Sequence, residues 1–156
     1  MILLSLDQAK KCGVSIWDVS EKNDDNILIH YELFKAKSKN YNNVIFEICD
    51  YVEYIINKYK IDKMLIEGVQ KQVNIKTFHD LSKLQGGLLE VAHKNNIKFE
   101  VIQSSEWRKI LKTNQKKRNE LKELSKVFVF NKLGIECNDD VADCIVMALY
   151  YFSRCE

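Results

Sequence analysis

The sequence DVADCIVMAL, from Asp140 to Leu149, joins two acidic residues to a long apolar run. The run is typical of a helix that packs most of its surface on a core, and Asn138 is a candidate cap for its start. Because Asp140 and Asp143 are three residues apart, a helix would place both carboxylates on one face. The sequence therefore predicts a last helix that begins with two acidic groups side by side.

Two further acidic residues each follow a short apolar run. Ile2–Leu6 is followed by Asp7, and Met64–Ile66 is followed by Glu67. Both runs are typical of buried strands, and strand ends are where α/β sheets display functional groups. Any one of these acids could be a solvated loop residue or favourable charge at a helix N-terminus. Their joint order instead favours a single site, at which divalent cations would offset the repulsion between four carboxylates.

The apolar patterns around these acids predict an α/β fold in one domain, residues 1–156. Three strands open the fold and helices then alternate with strands in the order β-β-β-α-β-α-β-α, which gives a mixed five-stranded sheet flanked by helices. The predicted strands are Ile2–Leu6, Gly13–Trp17, Ile27–Phe34, Met64–Glu67 and Ile97–Ile102. The predicted helices cover about residues 40–60, 75–95, a short segment around Trp107, about 119–133, and the last helix.

Several small residues carry more specific expectations. Gly13 would supply the permissive backbone of a tight hairpin. The pair Gly86-Gly87 interrupts a predicted helix at a cost of about 1 kcal/mol per glycine, which indicates close packing or the close approach of a partner. Ser104 or Ser105 would cap the short helix, and Gly134 would end the helix that precedes the last one.

The composition is that of a soluble globular protein, with 46% hydrophobic and 29% charged residues. No apolar run approaches the roughly 20 residues of a membrane span and no signal-peptide pattern is present, so we expect a cytoplasmic location. The five cysteines form an odd set without a Cys-x-x-Cys pair, which favours reduced thiols over disulfides or zinc. No Gly-x-x-x-x-Gly-Lys loop is present, and we therefore expect no nucleotide cofactor.

The formal net charge is +2, but eight basic and three acidic residues between Ser104 and Lys126 give that segment a local charge of +5. Such a basic segment on an otherwise mildly acidic chain is expected for a protein that binds a polyanion such as DNA. The same charges could instead form a solvated helix face. The basic residues are Arg108, Lys109, Lys112, Lys116, Lys117, Arg118, Lys122 and Lys126.

Taken together, the motifs resemble those of the RuvC-like Holliday junction resolvases, a family of the ribonuclease H-like (retroviral integrase) superfamily. The resemblance rests on Leu4–Asp7, Cys12–Ser15, Leu65–Glu67, Ser104–Lys109 and Asp140–Ala148. The acidic block from Asp139 to Asp143 is also similar to that of poxvirus resolvases, which favours a phage or viral member. A phage-encoded member would be expected in the cytoplasm of its bacterial host. Two departures from the bacterial pattern are Gln8-Ala9 in place of a proline and a glycine, and Val69-Gln70 in place of an aromatic residue.

The resemblance implies a ribonuclease H-like fold and a Mg²⁺-dependent, structure-selective endodeoxyribonuclease of DNA recombination and repair, which resolves four-way junctions by symmetric paired nicks. Two Mg²⁺ ions, about 3.5–4 Å apart and replaceable by Mn²⁺, would serve both ends of an in-line displacement. Their ligands would be Asp7, as the bridging residue, Glu67, Asp140 and Asp143. Lys117 would be the catalytic lysine that stabilises the phosphate, with Lys116 and Arg118 as neighbouring alternatives.

Branched DNA is the implied partner, bound by a C2 homodimer that presents two active sites to opposed strands. The apolar side of the second helix, with Leu81, Leu84 and Leu88, could form the dimer interface or could belong to the core. The residues expected to contact DNA are Gln70, Lys71, Gln72, Lys76, Lys83, Arg108, Lys109, Lys116 and Arg118. Two alternatives use the same residues: a less selective nuclease for branched DNA or RNA-DNA hybrids, and a DNA-binding module without catalysis. A binding module would gain nothing from four converging charges that repel phosphates.

Overall fold

A computed structural model of the protein describes residues 1–19, 26–70, 74–114 and 117–154. Its centre is a five-stranded sheet in the spatial order β3-β2-β1-β4-β5. The strands are β1 (Ile2–Asp7), β2 (Lys11–Asp18), β3 (Ile27–Lys35), β4 (Lys63–Glu67) and β5 (Lys98–Ile102). The first three strands form an antiparallel meander, whereas β4 runs parallel to β1 and β5 runs parallel to β4. The predicted mixed sheet is confirmed.

Helices cover both faces of this sheet. They are α1 (Tyr41–Tyr59), α2 (Ile75–Lys94), α3 (Ser104–Trp107), α4 (Arg118–Leu133) and α5 (Asp139–Arg154), with a 3-10 helix at Arg108–Leu111 directly after α3. The buried residues of α1 recur every three or four positions, so that one stripe of the helix faces the sheet. Helix α5 is buried continuously from Val141 to Ala148, because it packs against β1 and β2.

Strand β1 separates two apolar cores. Leu4 and Leu6 pack with α1 and α2 on one face of the sheet, whereas Leu3 packs with α5 on the other. All three side chains are fully buried, and burying each one contributes about 1.5–3 kcal/mol relative to leaving it exposed. Burial on both faces explains why β1 is apolar at every position from Ile2 to Leu6 except Ser5, rather than at alternate positions. Asp7 is the residue at which this strand leaves the core.

The structure gives Gly13 a different role from the predicted one. Gly13 lies within β2 rather than in a hairpin turn, and its φ is not positive. A Cβ atom on Gly13 would overlap the backbone carbonyl of Asp140, so the absence of a side chain makes room for the start of α5. Strand β2 also begins earlier than predicted, since its backbone pairs with β3 from Lys11 onwards.

The glycines in and after the helices fit their predicted roles in two of three cases. A Cβ atom on Gly87 would lie 2.9 Å from the Sγ of Cys49, which shows that α1 and α2 pack closely there. Gly86, by contrast, faces open space. Gly134 ends α4 with a φ of 71°, in the left-handed region that favours glycine.

The predicted serine cap of α3 is wrong, and of the two alternatives for the apolar side of α2 the structure confirms the core for Leu84 and Leu88. Neither predicted serine caps α3, because Gln103 is the N-cap and its N–H donates to the Glu106 carboxylate at 3.3 Å. Leu84 and Leu88 are fully buried in the core beneath α2, so they cannot form a dimer interface. Leu81 is partly exposed and lines the pocket described below.

The cysteines of the described ranges, Cys12, Cys49, Cys137 and Cys144, are free thiols. Burial raises the pKa of Cys12 and Cys144, which keeps both thiols protonated and unreactive. Cys155 lies outside the described residues. Within the described part of the chain, no helix combines the length and the apolar character needed to cross a bilayer.

Candidate active site

The four predicted acids line one pocket of about 320 Å³ at the edge of the sheet. Asp7 ends β1, Glu67 ends β4, and Asp140 and Asp143 lie in the first two turns of α5. Because β1 and β4 are parallel neighbours that pair in register up to Leu6 and Ile66, the acids that follow these two residues reach the same edge. The two aspartates of α5 approach that edge from the adjoining face. The structure therefore brings together all four residues.

Two features hold the start of α5 against the sheet, and a third caps the helix. The missing side chain of Gly13 lets the helix approach β2 closely. The Asn138 side chain accepts a hydrogen bond from the N–H of Val141 at 2.9 Å, which confirms the predicted cap. The Ser5 hydroxyl donates to the carbonyl of Cys144 at 2.8 Å and ties β1 to the helix. These contacts set the position of both α5 aspartates relative to Asp7 without engaging their carboxylates.

The pKa values show that negative charge in the pocket is disfavoured. Burial, and then the charges of its acidic neighbours, raise the pKa of Asp7 well above its ordinary value. Burial raises the pKa of Asp143 to about 6, against the opposing effects of a Ser125 hydrogen bond and the Arg108 charge. Burial also raises the pKa of Glu67, although the Arg108 guanidinium, 4.0 Å from its carboxylate, opposes the shift. A positive charge placed among these groups would therefore favour their ionisation.

Among the described residues, two basic side chains that line the pocket face the acids. Arg108, from the 3-10 helix, lies beside Glu67. Lys122, from α4, donates a hydrogen bond to Asp139, and its Nζ lies 3.6 Å from the Oδ1 of Asp140. Burial lowers the pKa of Lys122, but its contacts with Asp139 outweigh this effect and raise the pKa, so the ammonium stays charged. Two positive charges offset only part of the acidic charge of the pocket.

The donor set fits a hard divalent cation. Every candidate ligand is a carboxylate oxygen, which is the ligand type that Mg²⁺ and Mn²⁺ prefer. The Oδ1 atom of Asp143 is buried and has no hydrogen-bond partner among the described residues, so it is available to coordinate a cation. In the described ranges, no three potential ligand side chains are grouped tightly enough to hold an ion as they stand. Unscreened carboxylates repel one another, and cation binding would draw them together.

Of the other predicted site residues, some line the pocket and others lie outside it. Lys117 does not line the pocket: its side chain is 83% exposed and its Nζ lies 3.8 Å from Glu120. Gln70 and Arg108 line the pocket. Lys76, Lys83 and Lys109 are exposed outside it. Lys71, Gln72 and Lys116 lie outside the described residues, and Arg118 is described only as the first backbone position of α4.

Two polar residues of the pocket, Lys122 and Gln8, were not predicted as part of the site. Lys122 was assigned only to the basic segment, yet Lys122 and Ser125, three residues apart on α4, share a face that meets α5. Gln8 is 6% exposed, and its amide donates to the backbone carbonyl of Glu67 at 2.8 Å, which holds the end of β4 beside β1. The sequence did contain a signal for Gln8, because a glutamine follows Asp7 where the bacterial enzymes have a proline.

Comparison with known proteins identifies the family. The profile described as crossover junction endodeoxyribonuclease RuvC matches residues 4–151. Thermus thermophilus RuvC, solved in complex with Holliday junction substrate, has a TM-score of 0.78 at 15% identity, with 99% of this chain and 96% of that chain covered. The fowlpox virus Holliday junction resolvase has a TM-score of 0.66 at 18% identity, with 100% of both chains covered. The yeast mitochondrial Holliday junction resolvase gives 0.63 at 16% identity, with 96% and 77% covered.

A comparison with curated protein sequences gives no match. The structural matches, at their low identities, establish a ribonuclease H-like fold. The family profile covers nearly the whole chain and includes all four acids of the pocket. The chain therefore belongs to the RuvC family of crossover junction endodeoxyribonucleases, the enzymes that resolve Holliday junctions.

Proposed function

We propose that the protein resolves Holliday junctions by paired, symmetric nicks, using two Mg²⁺ ions that are held by Asp7, Glu67, Asp140 and Asp143. The observation that carries this proposal is the convergence of the four acids, from two strand ends and one helix, in a single pocket. RuvC-like resolvases depend on divalent metal ions. The all-oxygen donor set favours Mg²⁺, with Mn²⁺ as a substitute.

Bound cations would activate the attacking water and stabilise the leaving oxygen of the phosphodiester. Among the acids, Asp7 is the best candidate for a shared ligand, because it interacts electrostatically with Glu67, Asp140 and Asp143. Gln8 holds the ends of β1 and β4 together and so keeps two of the ligands at one edge. The chain thus contributes ligands that are fixed by strands and by a capped helix rather than by loops.

Fixed positive charge in the wall of the pocket would bind the scissile phosphate. Arg108 offers a planar guanidinium suited to phosphate oxygens, and Lys122 offers an ammonium group beside Asp140. We propose Lys122, rather than Lys117, as the lysine that acts on the phosphate. Lys122 is 25% exposed and lines the pocket, whereas the Lys117 side chain is almost fully exposed beside Glu120.

Outside the pocket, the DNA would lie across two elements that contribute residues to the pocket. Helix α2 contributes Leu81 to the pocket and carries the exposed lysines Lys76 and Lys83, while the 3-10 helix contributes Arg108 and carries the exposed Lys109. We propose that these lysines contact phosphates. We also propose Gln70, Lys71, Gln72, Lys116 and Arg118 as DNA-contacting residues, although Lys71, Gln72 and Lys116 lie outside the described residues. The related Thermus thermophilus and fowlpox virus proteins have been solved with Holliday junction DNA.

We also propose a C2 homodimer, since two equivalent active sites would match the near-twofold symmetry of a four-way junction. Burial of Leu84 and Leu88 excludes the core side of α2 as the contact surface. The exposed apolar side chains on these helices are the alternatives, namely Phe46 and Tyr54 of α1 and Ile75, Phe78 and Leu89 of α2. Light scattering after size-exclusion chromatography tests the assembly, with a dimer mass expected and a monomer mass at all concentrations contradicting it.

The experiment that tests the proposed function is a comparison of five DNA substrates on one gel. Equal concentrations of a four-way junction, a fork, a flap, a linear duplex and an RNA-DNA hybrid are incubated with the protein and Mg²⁺. We expect preferential cleavage of the junction. Equal cleavage of forks, flaps or hybrids would identify a less selective nuclease, and junction binding without cleavage would identify a binding module. A preparation carrying Asp7→Asn controls for contaminating nucleases.

A further inference from the structure

Lys122 lies between an acid inside the pocket and an acid outside it. Its ammonium donates a hydrogen bond to Asp139, which does not line the pocket, and its Nζ lies 3.6 Å from the Oδ1 of Asp140, which does. The two aspartates are consecutive, so the first turn of α5 presents both to α4. The Lys122 side chain itself is 25% exposed and forms part of the pocket wall.

An ammonium group in this position is a competitor for divalent cations. A lysine beside Asp140 neutralises the same negative charge that a bound cation would neutralise. The Oδ1 of Asp143 is also buried and has no hydrogen-bond partner among the described residues. Lys122 would therefore be drawn further into the pocket if nothing held it back. The only other acid in contact with Lys122 among the described residues is Asp139.

We propose that Asp139 is a positioning residue, which holds the Lys122 ammonium at the edge of the pocket so that Asp140 stays available to a divalent cation. This inference rests on the proposed function, in which the four pocket acids bind metal. In this arrangement Asp139 is not a metal ligand and does not touch the substrate. It acts through Lys122, which remains free to contact a phosphate once a cation is bound to Asp140.

A double-mutant cycle on metal binding tests the proposal. Binding of Mn²⁺ to the full chain without DNA is measured by electron paramagnetic resonance for the wild type, Asp139→Asn, Lys122→Met and the double variant. We expect Asp139→Asn to weaken Mn²⁺ binding about fivefold or more in the wild-type background, because the released Lys122 moves onto Asp140. With Met at position 122 no competitor is present, and the same substitution should change binding less than about twofold.

Matched variants separate this effect from loss of charge and from misfolding. Glu120→Gln removes an acid from the exposed pair with Lys117 on the same helix and should leave Mn²⁺ binding unchanged. Asp139→Glu keeps a carboxylate within reach of Lys122 and should retain wild-type affinity. Thermal unfolding of each variant checks that it is folded.

Equal fold-changes for Asp139→Asn in the two backgrounds would overturn the proposal, since they would show a simple charge effect. Unchanged binding by Asp139→Asn in the wild-type background would also overturn it. Failure of the proposed function looks different. In that case Asp140→Asn would bind Mn²⁺ as well as the wild type does, or the wild type would bind no Mn²⁺ at all.

Discussion

A side chain on Gly13 would overlap the backbone carbonyl of Asp140, and its Cβ would lie 2.9 Å from the N atom of Val141. Gly13 in β2 also pairs with Asp7 in β1. One glycine therefore connects the strand that carries Asp7 to the helix that carries Asp140, and it sets how closely these two proposed metal ligands approach each other.

Gly13→Ala should consequently impair both stability and cleavage. The obstacle is backbone rather than a flexible side chain, so α5 would have to shift, with an expected loss of about 1–3 kcal/mol in the free energy of unfolding. Urea unfolding and junction cleavage check the two effects. Gly86→Ala is the matched control, because a Cβ atom there meets nothing within 4 Å and alanine favours the helix. Equal behaviour of the two variants would contradict the close approach at Gly13.

Removal of the proposed metal ligands should abolish cleavage without abolishing DNA binding. Asp7→Asn, Glu67→Gln, Asp140→Asn and Asp143→Asn each remove a charge while keeping the side-chain size. We expect each to lower single-turnover cleavage by about 100-fold or more, equivalent to about 2.7 kcal/mol of transition-state stabilisation. Gel-shift assays with the junction should show nearly unchanged binding. At saturating Mg²⁺, Asp139→Asn should be much milder. Near wild-type turnover in two of the four variants would disprove the four-acid site.

The two candidate lysines can be ranked by kinetics. Lys122→Met should lower single-turnover cleavage at saturating enzyme and saturating Mg²⁺ by about 10- to 100-fold, because it removes a positive charge preorganised beside the scissile phosphate. Lys117→Ala should have a smaller effect on this rate, since that side chain lies outside the pocket. The reverse ranking would restore Lys117 as the catalytic lysine and would show that α4 changes position on the DNA.

The raised pKa of Asp143 predicts a specific pH dependence. In the metal-free folded protein this carboxyl group keeps its proton up to a pH of about 6, whereas an unfolded aspartate loses it above a pH of about 4. Between these limits the folded state binds more protons than the unfolded state. The free energy of unfolding should therefore fall as the pH rises from about 4 to about 6, on the order of 1.4 kcal/mol per unit of pKa difference.

Urea unfolding in EDTA at a pH of about 4.5 and about 6.5 measures this dependence. Asp143→Asn cannot titrate at this position and should show a smaller decrease than the wild type. Saturating Mg²⁺ should oppose the decrease in the wild type, because the cation binds the ionised carboxylate. An identical pH dependence of both proteins without metal would show that Asp143 titrates normally.

The strands and most helices could be predicted from sequence because their signals are local. Continuous apolar runs mark β1 and β4, and the recurrence of apolar residues every three or four positions marks α1. The placement of Asp7 and Glu67 followed from the same runs, since each acid comes directly after one of them. Parallel pairing of β1 with β4 then brings the two acids to one edge.

The features that could not be predicted depend on contacts between distant parts of the chain. Position 13 requires a glycine because a side chain there would overlap the carbonyl of Asp140, which is more than a hundred residues away in the sequence. The choice between Lys117 and Lys122 depends on where α4 begins and on which of its faces meets α5. Both lysines lie in one basic segment, and charge alone does not distinguish them. The sequence also could not show whether Leu84 lies in the core or in an interface, because an apolar helix face fits both equally well; in the structure it lies in the core.

The most direct test of the account is to map the nicks on a four-way junction labelled separately on each strand. Ca²⁺ serves as the control cation, because its looser coordination should support binding with little cleavage. With Mg²⁺ we predict paired nicks at symmetric positions on two opposed strands, and products that ligase seals because they carry a 5′-phosphate and a 3′-hydroxyl. Cuts confined to one strand, or products that ligase cannot seal, would contradict resolution by a symmetric pair of two-metal sites.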